Sequence, residues 1–208
     1  MIDRKDFAEM KKELESFDLQ REALISETRE IIRLSKKIIY SVHRDEMKEA
    51  EEAVKSITVM VKSSMKKAEG EPSLLYSGLL RSAIQEYVEA VGFYFIIKEK
   101  RLPTHKELSL QAEHYLLGIC DLTGELSRRS VNSAANRDYK TAIEMKEIVS
   151  EIYDEMMQFD FANGELRKKF DSIKYEVKRL EEMALTISLN SGKSGVRHVS
   201  HEKEEENN

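Results

Sequence analysis

Glu86 and Glu89 in AIQEYVEAVGFYFII, with Asp121 and Glu125 in YLLGICDLTGELSRRS, are the residues of this sequence best placed to do chemistry. Each interrupts a stretch that otherwise reads as buried helix, and a buried carboxylate is costly unless something pairs with it. Either cations of the protein neutralise these four, or a metal ion does. Spacings of three and four put each pair on one helix face. If the two helices lie side by side, the four acids form an oxygen-only cluster, which suits Mg²⁺ or Mn²⁺ rather than zinc or copper. Spacing alone does not decide the matter, because Glu27 with Glu30 and Glu147 with Glu151 repeat it in charged, solvated surroundings.

The row that begins with Asp121 and Glu125 continues through Arg128 or Arg129, Asn132 and Asn136. Arg129, four residues after Glu125, is positioned to neutralise it; in a functional site, arginine and asparagine would instead hold phosphate oxygens beside the acids. A basic run of Arg29, Arg33, Lys36, Lys37 and Arg44 lies near the N-terminus, although such runs are more often a solvated face. Redox di-metal bundles of the ferritin type require Glu-x-x-His on two helices, and this chain has none. His114 reads as a helix-surface or interface residue, and Cys120 as a small core residue. Gly124 inside a helix costs ~1 kcal/mol relative to alanine, which close helix approach beside the acids would explain.

Helices must position these residues. From about Asp3 to Arg44, Leu24, Ile31, Leu34, Ile38 and Val42 recur at helical spacing. Asp45 is a candidate cap for a second helix to about Lys67, with Met47, Ala50, Val54, Ile57 and Val61 on one face. Gly70-Glu71-Pro72-Ser73 breaks the pattern, and a third helix is expected from about Ser73 to Lys100. Its apolar residues lie on two sides, so it reads as an interior helix carrying the glutamates. Pro103 ends that element, and Thr104 with Glu107 has capping-box spacing for a short helix. Further helices are expected from about Ala112 to Asn136, from Asp138 onward, carrying Ile143, Ile148, Ile152, Met156 and Phe159, and from Glu165 to Leu189. Residues 1–189 read as one all-α domain of about seven helices, and 190–208 as a disordered polar tail.

Composition supports this outline. Of 208 residues, 35% are charged and only 2 are proline, which favours long helices. One cysteine permits no intramolecular disulfide, and no apolar run reaches the ~20 residues that span a bilayer, so a cytoplasmic protein without membrane contact is expected. The net charge of -5 does not advertise nucleic-acid binding, which usually shows as a basic domain.

The stretches AIQEYVEAVGFYFIIK, YLLGICDLTGELSRRSVNSAANRDY and LRKKFDSIKYEVKRLEEMAL, with TREIIRLSKKIIYSVHR on the first helix, together resemble the translin family, and within it the translin-associated factor X branch. The resemblance implies a seven-helix fold assembled into hollow, barrel-like oligomers, commonly octamers, that bind single-stranded RNA or DNA. For the factor X branch it implies a magnesium-dependent endoribonuclease site built from carboxylates facing the cavity. The family acids of QEYVEAV fall on Glu86 and Glu89, and those of DLTGE on Asp121 and Glu125; the translin branch lacks much of this set. The expectation is a homo-oligomer cleaving single-stranded RNA, with Mg²⁺ (Mn²⁺ as the alternative) on these four residues and Arg29, Lys37, Arg44, Arg129 and Arg137 on phosphates. The histidine-bearing basic segment of translin is replaced here by LLYSGLLRSAIQ, so contacts made there do not transfer. Two rivals stand beside this reading: a non-catalytic single-strand-binding scaffold, and a helical interaction module without a nucleic-acid role, for which the net charge is the best support.

Overall fold

The structure, a computed structural model, describes residues 2–68, 72–75 and 77–196. Among them are seven helices and no strand: α1 (Arg4–His43), α2 (Met47–Ala68), α3 (Pro72–Leu75), α4 (Gly78–Glu99), α5 (Ala112–Ala135), α6 (Tyr139–Met156) and α7 (Glu165–Val196). No described helix is long and apolar enough to cross a membrane. The chain divides into two compact units, Met1–Leu122 and Thr123–Asn208, the division falling within α5.

In the first unit, α1 is 40 residues long and starts at Asp3, whose carboxylate accepts from the Lys5 and Asp6 amides. Leu24, Ile31, Leu34, Ile38 and Val42 are all buried, as their spacing predicts. Asp45 sits at φ 59° and closes α1: its amide donates to Val42 O (3.1 Å) and the Glu46 amide to Ser41 O (2.8 Å). These paired bonds satisfy carbonyls that a helix end otherwise leaves open, so α2 follows after three residues, with Ala50, Val54, Ile57 and Val61 inward.

The helix expected from Ser73 to Lys100 is interrupted. Pro72 opens the single turn of α3, and Ser77 then caps α4, its Oγ accepting from the Leu80 amide at 3.4 Å; residues 69–71 of the expected break lie outside the described residues. α4 is the interior helix. From Ala83 to Ile96 every residue is buried except Glu86, Glu89 and Phe95. The Thr104–Glu107 capping box forms, with Thr104 N donating to Glu107 Oε2 (2.7 Å) and Glu107 N to Thr104 Oγ1 (3.2 Å). It nucleates only turns, which Ser109 closes at φ 57°.

The close approach of α5 to α4 comes from Gly118 and Gly92 rather than Gly124. A Cβ on Gly118 would lie 2.5 Å from Val88 Cβ and 2.8 Å from the Gln85 carbonyl oxygen, and one on Gly92 would lie 2.8 Å from Leu122 Cδ2. Gly124 is exposed, with nothing within 4 Å of its would-be Cβ.

In the second unit, Ser130 Oγ donates to Ala142 O at 2.6 Å, fastening the end of α5 to α6. Asp138 caps α6 as predicted, accepting from the Thr141 amide at 3.2 Å. The buried face of α6 is Ala142, Met145, Val149, Ile152 and Met156; Ile143 and Ile148 are half-buried, and Phe159, expected on this helix, lies beyond it and is exposed. Tyr153 and Phe161 both meet Phe170 of α7. α7 continues to Val196, past the expected end at Leu189, and 197–208 of the expected tail lie outside the described residues.

The crossing at Gly118 leaves no room for a methyl group, and the Gln85 carbonyl is helix backbone that cannot step aside. Gly118→Ala should therefore cost about 1–3 kcal/mol, measured by urea denaturation, whereas Gly124→Ala should stabilise the protein by up to ~1 kcal/mol.

Candidate functional site

The interior position of α4 explains the placement of its acids. A helix buried on most of its circumference has one remaining narrow stripe, and Glu86 and Glu89 occupy it. They are half-buried rather than buried, so each carboxylate keeps part of its hydration and avoids the full desolvation cost.

α5 brings Asp121 to the same level. Gly118 meets Gln85 and Val88, and Leu122 meets Gly92, so the two helices run in the same direction through their crossing. Asp121 lies between the α5 contact residues, and Glu89 between Val88 and Gly92 on α4. Glu125 follows Asp121 by one turn on α5; both are half-buried. Arg128 pairs with Glu125, its Nη1 3.5 Å from Oε2. The Glu125 side chain is 20% exposed and that of Arg128 51%, so solvent screens this pair.

All four donors are hard oxygens, which fits Mg²⁺ or Mn²⁺ in chemical kind. Their arrangement is less complete: among the described residues, no three His, Cys, Asp or Glu side chains form a group that could hold a metal ion.

The basic candidates fall into two sets. On α1, Arg29, Arg33, Lys36, Lys37 and Arg44 are all exposed, opposite the face that is buried in the first unit. Arg33 is held by Glu30, Nε to Oε2 at 2.7 Å. Tyr40, 53% exposed, stands in the same row, between Lys36 or Lys37 and Arg44. Sequence reading passed over Tyr40, although its four-residue spacing to Lys36 and Arg44 was the available signal. In the second unit, Arg129 is half-buried and Arg137 exposed. Arg137 sits at φ 63° in the turn between α5 and α6. Its amide donates to Ala134 O (3.0 Å) and that of Asp138 to Ser133 O (2.9 Å), the arrangement in which glycine is usual.

His114, expected on a surface, is buried at the start of α5. Its Nδ1 has no hydrogen-bond partner. Burial, and next the Arg81 guanidinium nearby, hold its pKa below the ordinary 6.5, against the weaker opposing effect of Glu113. Arg81 itself donates to Glu113 at 3.1 Å.

The described residues thus form an all-helical protein with paired carboxylates on an interior helix and its neighbour, and an exposed basic row on a third helix. The chain belongs to the Translin family, whose model matches residues 19–191. Translin-associated protein X of Mus musculus is 25% identical over 227 residues, covering 88% of this chain and 77% of the mouse protein. Translin of Homo sapiens is 36% identical over 84 residues, 40% of this chain and 37% of the human protein. Among solved structures, apo-NeC3PO superposes with a TM-score of 0.81 at 27% identity, covering 89% of this chain and 97% of that one. A complex of AfC3PO with duplex RNA gives a TM-score of 0.82 at 27% identity and the same coverages.

The depressed pKa of His114 has a definite sign. Between 6.5 and the lower folded value, the unfolded chain binds a proton that the folded chain does not, so stability is full above pH 6.5 and falls as pH drops below it. Melting temperature should decline from pH 7 to pH 5.5, and His114→Gln should flatten that decline. An equal slope in the variant would show that His114 is not responsible.

Proposed function

We propose that this chain is a divalent-metal-dependent endoribonuclease that cleaves single-stranded RNA as a homo-oligomer. The observation carrying this reading is the pair of glutamates on α4. Glu86 and Glu89 occupy the partly open stripe of a helix otherwise buried from Ala83 to Ile96, beside the crossing that brings up Asp121. A purely structural helix in that position would gain from apolar or small residues. Membership of the Translin family and likeness to an RNA-bound assembly support a nucleic-acid substrate.

Glu86, Glu89, Asp121 and Glu125 would hold Mg²⁺, with Mn²⁺ as a substitute. Since the chain alone gathers no three of these donors, we place the completion of the site in side-chain adjustment when cation and RNA bind together. A cation bound there would supply Lewis-acid stabilisation to a phosphodiester under attack. The chain's own contribution is positioning. Without a cation, four carboxylates repel a phosphate; the guanidinium and ammonium groups of Arg29, Lys37, Arg44, Arg129 and Arg137 hold the neighbouring phosphates.

The row on α1 supports the choice of a single strand. From Arg29 to Arg44 it extends about 22 Å along the helix, and Tyr40 offers an exposed ring among its cations. Cations that follow a backbone, interleaved with an aromatic on which a base stacks, suit unpaired nucleotides. One structural neighbour is complexed with duplex RNA, so single-stranded and duplex forms of one sequence belong in the same assay.

Asp121→Asn keeps the shape of its side chain and removes its charge. Cleavage of a short single-stranded RNA in Mg²⁺ should fall by at least about 100-fold, while RNA binding and oligomer mass stay unchanged. EDTA should abolish wild-type cleavage. Undiminished cleavage by the variant would refute the catalytic assignment. A non-catalytic binding scaffold is the second reading, favoured by the Glu125–Arg128 pair; RNA binding with no cleavage by wild-type protein in either metal would establish it.

Arg137 tests the phosphate contacts separately. Glycine is the residue best suited to its left-handed backbone, so Arg137→Gly should raise stability by up to ~1 kcal/mol. The same change should weaken RNA binding and reduce the salt dependence of affinity by about 0.7 in log–log slope. Unchanged affinity would remove Arg137 from the interface.

A further inference from the structure

The row that fixes α1 in the first unit has a heptad phase: Leu24, Thr28, Ile31, Ser35, Ile38 and Val42 are spaced alternately by four and three, and all are buried. Traced toward the N-terminus in the same phase, the row passes Arg21 and reaches Phe17, Leu14, Met10 and Phe7. Leu14 is 66% exposed, Met10 40% and Phe7 61%; Phe17 is half-buried. Thus the stripe that packs inside the first unit continues, in register, along four helical turns that the described residues leave largely exposed. These turns precede the part of the sequence that matches the Translin family, which begins at residue 19.

We propose that residues 4–18 pair with the same residues of a second copy of this chain as a short antiparallel coiled coil. Apolar residues at alternating spacings of three and four form the seam that such a pair buries. The charges select the partner. Arg4, Lys5, Lys11 and Lys12 outnumber Asp6 and Glu9 in the first part, whereas Glu13, Glu15, Asp18 and Glu22 outnumber Arg21 in the part that follows. Antiparallel pairing sets the basic part of one copy beside the acidic part of the other, with Phe7 facing Phe17, Met10 facing Leu14, and Arg4 near Asp18 of the second copy. Parallel pairing would set the net basic part beside its own copy and the net acidic part beside its own. The near-even mixture of signs also distinguishes the stretch from a membrane-surface helix, which is rich in lysine and arginine on its polar face. This pairing is independent of the catalytic reading.

The test uses the full chain. Phe7→Cys/Phe17→Cys, oxidised mildly, should form a covalent dimer on a non-reducing gel, and neither single variant should do so. Dimer from Phe7→Cys alone would indicate a parallel pair and overturn the proposal, as would no dimer from the double variant. Because the cysteines shorten the apolar stripe, hydrogen exchange on the otherwise unaltered chain gives a second readout. Amides 6–18 should exchange at least 10-fold faster in Leu14→Glu than in wild type, with amides 24–42 unaffected. Equal rates would overturn the pairing, and so would co-sedimentation of wild-type protein with phosphatidylserine vesicles that Leu14→Glu abolishes.

Discussion

The crossing of α4 and α5 at Gly118 is the contact on which the rest of the candidate site depends. Backbone meets backbone there, with the Gln85 carbonyl 2.8 Å from where a β-carbon would be. Only the absence of a side chain permits that separation, and packed interiors do not absorb even one extra methyl without displacement. Because the glycine contact fixes the depth of the crossing and Leu122 against Gly92 fixes its direction, Asp121 on α5 is placed beside the stretch of α4 that carries Glu89. Acids on flexible side chains thus take their place in the first unit from two glycines and a leucine, residues with no chemistry of their own.

Most helices were legible because their burial pattern is simple. Leu24 to Val42 and Ala50 to Val61 each follow one apolar face, and the structure buries those faces. Asp138 was legible as a cap because its geometry is local. The errors arose where two local signals competed. Asp45 has the chemistry of an N-cap, and it also serves the preceding helix, whose open carbonyls take its own amide and that of Glu46. Thr104 and Glu107 close their capping box, yet no apolar row follows to extend a helix. On α6 the isoleucines are the conspicuous apolar residues, yet Ala142, Met145 and Val149 join Ile152 and Met156 in the row that packs.

The acids themselves were legible by type and spacing, since carboxylates in apolar stretches are conspicuous. Their half-burial was not, because a sequence does not show that an interior helix retains one open stripe. The glycine that mattered was misplaced for a related reason: Gly118 and Gly124 are equivalent in sequence, and only tertiary contact separates a glycine required by a crossing from one facing solvent. The net charge of -5 hid a local separation of sign. Arg29, Lys36, Lys37 and Arg44 line one exposed row of α1 while acidic residues dominate elsewhere, so the average charge says little about what that row attracts.

The joints at Asp45 and Arg137 carry an entropic consequence. In each, the helix end and the residues after it share paired backbone bonds, and the next helix begins almost at once. A cation beside such a joint, as Arg44 is and Arg137 itself is, stands on backbone already fixed before any ligand arrives. Ordering one residue's backbone costs about 1–2 kcal/mol, and a loop-borne arginine loses that from its binding free energy. Here the loss was incurred during folding, so a polyanion meeting these side chains has only their rotamers left to restrain.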